Sequence, residues 1–102
     1  MTNIDISSSI KLNNFAKLSI IENLKSRDAI HNEEVRGIKL FFTEVNQKVR
    51  AIIEVYANIK GSVKKIIKNA SGSSHLEAYA TAVEKALSKY DKLAGNDLSR
   101  SL

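Results

Sequence analysis

Val35, Ile38, Phe42, Val45, Val49, Ile52, Tyr56, Ile59, Val63, Ile66 and Ala70 recur at alternating steps of three and four without a failure. A 3.5-residue repeat held over five heptads is the spacing of one continuous helix facing helical partners. Read this way, residues 32–69 form a long central helix. Phe41, Ile53, Val55 and Ile67 widen the apolar stripe on its flanks, which calls for a second neighbour. Asn32 offers an N-cap, Glu33 and Glu34 place acid in the first turn, and Lys64, Lys65 and Lys68 put the favourable sign at the C-terminal end. A helix of about 38 residues spans roughly 57 Å at 1.5 Å per residue. That is far longer than a compact domain of this size is wide, so the expected molecule is elongated.

The flanking segments read as two more helices. Ser74-His75-Leu76-Glu77 is a capping box before Leu76, Ala80, Val83, Leu87, Tyr90 and Ala94, and Gly95 stands where a left-handed cap ends a helix. This predicts a helix over 74–94, with a frayed tail over 96–102. Ile4, Asp5 and Ile6 alternate briefly. From Ile10 to Leu24 the apolar residues spread round a helical wheel, which predicts a helix over 8–26 buried on more than one side. The chain has 102 residues, no proline and four glycines, consistent with few turns and one domain over 1–102. The expected fold class is all-α: an elongated helical hairpin or three-helix bundle with one long central heptad helix, a coiled-coil architecture.

Little in the chain carries chemistry. There is no cysteine, hence no disulfide, thiolate metal site or cysteine nucleophile. His31 and His75 stand far apart, and no Gly-rich phosphate loop or nucleophile elbow appears. No catalytic, cofactor-binding or metal-binding residues are assigned, and no enzyme is expected. No apolar run is long enough to span a membrane. The chain carries sixteen Lys and Arg against eleven Asp and Glu, a net charge of +5. Lys60, Lys64, Lys65 and Lys68, with Lys39, Lys48 and Arg50, could form a stripe for phosphates. They are mixed with Glu44 and Glu54 and accompany no recognition helix or stacking platform, so they read as a solvated helix face. Nucleic acid is therefore not the expected partner.

Val35-Arg36-Gly37 stands where a W-x-G turn motif would stand, with Phe41 and Phe42 after it, and Leu87-Ser88-Lys89-Tyr90-Asp91 has the spacing of an aromatic-x-x-x-acid export motif. In these features the chain resembles the small helical W-x-G-like proteins of type VII secretion, the partner proteins of LXG toxins. The tryptophan is absent, and Leu87 stands where that motif has phenylalanine. The resemblance implies a non-enzymatic adaptor that binds another helical chain and targets a secreted effector for export. Val35 and Gly37 would shape the hairpin turn, and Leu87 and Asp91 would belong to the export signal.

From the stripe itself, Phe41, Phe42, Ile53, Tyr56 and Ile67 are the expected partner-binding residues, burying apolar area against a helical protein or a second copy of the chain. The alternatives are an immunity-type inhibitor of a toxin, and a basic helical bundle on nucleic acid. The expected location is the cytoplasm, or outside the cell after export without a cleaved signal peptide.

Overall fold

The computed structural model describes residues 3–27 and 34–95. Its elements run β1 (Asn3–Ser8), α1 (Asn14–Lys25), β2 (Val35–Val45), β3 (Lys48–Ile59), β4 (Ser62–Gly72) and α2 (His75–Ala94). The four strands form one sheet in the order β1-β2-β3-β4. β1 pairs with β2 in parallel, with α1 as the crossover, and the other pairings are antiparallel. This α+β architecture overturns the all-α helical hairpin or bundle, and with it the coiled coil.

The heptad stripe is strand sequence. Residues 49, 51, 53, 55, 57 and 59 are all apolar, a strict alternation along β3, and all but Val49 are buried. In a strand a step of three changes face while a step of four keeps it. The eleven stripe residues therefore divide: Ile38, Phe42, Ile66 and Ala70 turn into the core, whereas Ile52 and Tyr56 face away from it. The β-branched residues that weaken a helix suit a pleated, half-buried surface.

Two tight turns replace the supposed helix interior. Asn46 and Gln47 have φ of 53° and 64°, and Lys60 and Gly61 have 53° and 85°. Positive φ at both central residues makes each a two-residue turn of the type whose twist matches a hairpin. The registers Val45↔Lys48 and Ile59↔Ser62 close directly on them. Gly61 supplies one of those four left-handed positions.

Both helices lie on one face of the sheet. α2 buries Ala78, Ala82 and Ala86 in the same cluster as Ala51, Ala57 and Ala70 of the sheet. Small side chains on both elements suit a close approach of helix to sheet, and Phe42, Ile53, Val55, Tyr79 and Tyr90 belong to the same buried cluster. Each fully buried large apolar side chain contributes about 1.5–3 kcal/mol. Ile20 and Leu24 bring α1 into the same cluster, and Ile4 and Ile6 of β1 pack against it.

α2 starts at its expected cap: Ser74 Oγ accepts from the Glu77 amide at 3.2 Å, and Gly95 ends the helix at φ 76°. α1 begins later than expected, where Asn13 Oδ1 accepts from the Ala16 amide at 2.7 Å. The helices meet through a polar chain. The Tyr79 hydroxyl donates to Asn23 Oδ1 at 2.5 Å, Arg27 Nε donates to the same oxygen at 3.1 Å, and Arg27 Nη1 binds Glu84 at 2.7 Å.

The resemblance to type VII secretion proteins fails on the same ground, because the motif positions have different jobs. Val35-Arg36-Gly37 is a β-bulge opening β2, not the turn of a helical hairpin. Leu87 packs against the core from α2 and Asp91 is exposed on it. Without a helical bundle, the adaptor, the immunity-type inhibitor and the basic bundle lose their common scaffold. His31, Asn32, Glu33 and the expected tail over 96–102 lie outside the described residues.

Candidate nucleic-acid interface

Among the described residues, with both helices on one side, two surfaces carry clustered charge: the edge where β4 meets α2, and the open face of the sheet.

The first is basic. Lys64 and Lys68 alternate with Ile66 on the helix side of edge strand β4, and Lys60 stands at the turn before it. Lys85, Lys89 and Lys92 fall within an arc of about 60° on α2 at 3.6 residues per turn. That arc faces β4, since Lys85 Nζ donates to the backbone carbonyl of Asn69 at 3.3 Å. Glu84 is turned to the opposite flank, where it binds Arg27. Segregating the acid this way leaves a ridge of ammonium groups that can meet a row of phosphates.

The second surface is mixed. The register sets Asn3, Gly37, Tyr56 and Lys65 in one cross-strand row, Asp5, Lys39, Glu54 and Ile67 in the next, and Ser7, Phe41, Ile52 and Asn69 in the third. Phe41 is 38% exposed and Ile67 50%. The Tyr56 hydroxyl donates to Glu54 Oε1 at 2.6 Å, which raises its pKa above the ordinary phenol value. Lys39 Nζ lies 5.7 Å and Lys65 Nζ 6.0 Å from the ring centroid, each within cation–π range. Lys65 is also 3.9 Å from Glu54. At the β1 side of Tyr56, Gly37 leaves a depression of about 550 Å³.

The five expected partner-binding residues therefore part company. Phe42 and Ile53 are fully buried and unavailable, while Phe41, Tyr56 and Ile67 share the open face. Val35 is core and Gly37 borders the depression. The lysines read as one solvated helix stripe lie on two faces: Lys39 and Lys65 on the open one, Lys64 and Lys68 on the other. Lys85, Lys89 and Lys92 stand outside that stripe, although their spacing along α2 is legible in the sequence. The meeting of Lys39, Tyr56 and Lys65 is not, because it depends on strand register.

Among the described residues no group of three or more His, Cys, Asp or Glu could hold a metal ion. No helix there is long and apolar enough to cross a membrane.

The fold is shared with solved structures. A ribosomal subunit interface protein from Coxiella burnetii superposes with a TM-score of 0.70 at 16% identity, covering 90% of this chain and 99% of that one. The N-terminal domain of Thermus thermophilus Protein Y superposes at 0.65 with 14% identity, covering 90% of this chain and 98% of that domain. No family model matches the sequence, and no curated protein does. At these identities the likeness is one of fold. It has no place for a helical type VII partner, and it removes the ground on which nucleic acid was set aside.

Proposed function

We propose that this protein binds the ribosome, docking on ribosomal RNA through the basic edge formed by β4 and α2. The observation that carries the reading is the fold likeness to the Coxiella burnetii ribosomal subunit interface protein, which extends over nearly all of that chain. Lys64, Lys68, Lys85 and Lys89 give the likeness a physical counterpart. They form a ridge of positive charge whose affinity for phosphates comes mainly from releasing condensed counterions. The fold supplies stiffness, since the lysines stand on a sheet edge and a packed helix rather than on loops. The protein acts by occupying a site, without catalysis, in the cytoplasm where ribosomes work.

Sedimentation with purified ribosomal subunits and with 70S ribosomes tests this. The full chain is expected to travel with ribosomal particles at low salt and to dissociate as salt rises. The variant Lys64→Glu/Lys68→Glu/Lys85→Glu/Lys89→Glu, folded by circular dichroism, is expected to stay at the top of the gradient. A wild-type chain that stays at the top at low salt, or a variant that still travels with ribosomes, refutes the proposal.

A further inference from the structure

We propose that the open face of the sheet holds a second site, which takes one unpaired nucleotide with its base stacked on Tyr56 above Gly37. The inference rests on the RNA-binding reading for the identity of the strand, but its geometry stands on a different surface.

The site is built by the central strands. Tyr56 projects from β3 on the bare face, held at its hydroxyl by Glu54. Its cross-strand neighbour on β2 is Gly37, the one position in that row without a side chain. The resulting depression, about 550 Å³, is lined by Asn3, Asp5, Arg36, Gly37, Lys39 and Tyr56. That volume lies in the range of small-molecule sites. The lining joins an aromatic ring, an amide, a carboxylate and two cations, the set a nucleotide uses: a π surface for the base, donors and acceptors for its edge, and positive charge for its phosphate.

Charge favours the same occupant. Arg36, Lys39, Lys48, Arg50 and Lys65 face this side against Asp5 and Glu54. Lys39 and Lys65, now near the ring of Tyr56, are displaced by a stacking base and move onto the phosphates flanking it. Phe41, Ile52 and Ile67 continue the apolar surface along the sheet, where a neighbouring base can rest. A protein partner would meet unpaired charge on this face, whereas a single strand of RNA neutralises it.

The test is a nuclear magnetic resonance titration of the full chain with adenosine 5′-monophosphate, with single-stranded RNA hexamers and with an RNA duplex. Ring protons of Tyr56 and the amides of Gly37 and Lys39 are expected to shift with the hexamer. Tyr56→Ala is expected to weaken hexamer binding about five- to hundredfold, the range of a lost base–aromatic stack. Gly37→Val provides a second route. A Cβ there meets only ordinary contacts, 3.5 Å from the Asn3 carbonyl oxygen and 4.0 Å from its Cβ, so the first carbon is accommodated; the variant, checked for folding by circular dichroism, fills the depression and is expected to weaken hexamer binding. Saturation by the monophosphate at hexamer-like concentration identifies a free nucleotide as the occupant, and hexamer preference identifies a strand; both support the site. Shifts confined to Lys64, Lys68, Lys85 and Lys89, or duplex preference at Tyr56, overturn it and leave ribosome binding standing. Tyr56 shifts with the hexamer in a chain that does not sediment with ribosomes uphold the site and overturn the ribosomal role.

Discussion

Gly72, the last residue of β4, lies directly against the first turn of α2: a Cβ at this position would stand 2.8 Å from the amide nitrogen of Ala78. It would also meet Glu77 Cβ and Cγ at 3.0 Å. Because the main obstruction is backbone, relief requires the helix to move. Gly72→Ala is expected to destabilise the fold by about 1–3 kcal/mol, the cost of overpacking. Gly61→Ala has open space around it and only its φ of 85° to accommodate, and is expected to cost about 1–2 kcal/mol from left-handed strain alone. Denaturant melts of both, with a structure of the Gly72 variant showing α2 displaced, check the distinction.

Gln47 occupies a left-handed position, φ 64°, that disfavours a residue with a Cβ. Gln47→Gly creates the Asn-Gly pair this turn prefers. It is expected to raise stability by about 0.5–1 kcal/mol, strain relief outweighing the entropy of an added glycine. Thermal unfolding decides; a lower midpoint would mean that the glutamine side chain has a stabilising contact.

His75 packs edge-on against Phe42, with ring centroids 4.9 Å apart. Its Nε2 is buried without a hydrogen-bond partner, and desolvation lowers the pKa of the ring below 6.5. The folded state thus resists a proton that the unfolded chain accepts. Stability is expected to be unaffected by this group above the unfolded value and to decline as pH falls from there to the lowered native value. His75→Gln should flatten the stability profile as pH falls below about 6.5 relative to wild type. An identical slope in the two proteins would exclude His75 as the cause.

Tyr79 and Asn23 join the two helices through a hydrogen bond of 2.5 Å. Tyr79→Phe is expected to cost about 0.5–1.5 kcal/mol. Asn23→Ala also frees Arg27 Nε, so a double-mutant cycle between 23 and 79 should give a non-zero coupling. Strict additivity would show that the bond adds nothing to stability.

The basic edge makes a quantitative prediction. Lys85→Gln/Lys89→Gln is expected to weaken RNA binding across sequences and to reduce the magnitude of the slope of log K against log salt by about 1 per lysine. Filter binding at several salt concentrations measures it. A weaker affinity with an unchanged slope would place those lysines outside the phosphate contacts.

Helix α2 was legible because a capping box and a terminal glycine bracket it, and both signals are local. The meander β2–β4 was hidden by a coincidence of period. Apolar residues on both faces of β3, such as Ile52 beside Ile53, let a three-four count run unbroken through a strand sequence. Turn chemistry held the counter-evidence: Asn46-Gln47 and Lys60-Gly61 fall where apolar alternation stops and restarts, but only one glycine appears among those four residues. Of the candidate sites, the α2 lysines were available from spacing alone. The Tyr56 site was not, since Gly37 and Lys39 reach it across one strand boundary and Lys65 across another.

β1 is joined to the sheet by a parallel pairing, and this orders the assembly of the molecule in time. The meander needs only two-residue reversals, so its hairpins can close on the scale of about 1–10 μs. β1 leaves the ribosome before the edge it requires has been made, and Asn3 must wait for Gly37 to find its register. In a nascent chain the outer backbone of β2 therefore stays unpaired until α1 has swung across. The growing polypeptide carries an exposed strand edge through that interval, the period in which it is most open to pairing with another chain.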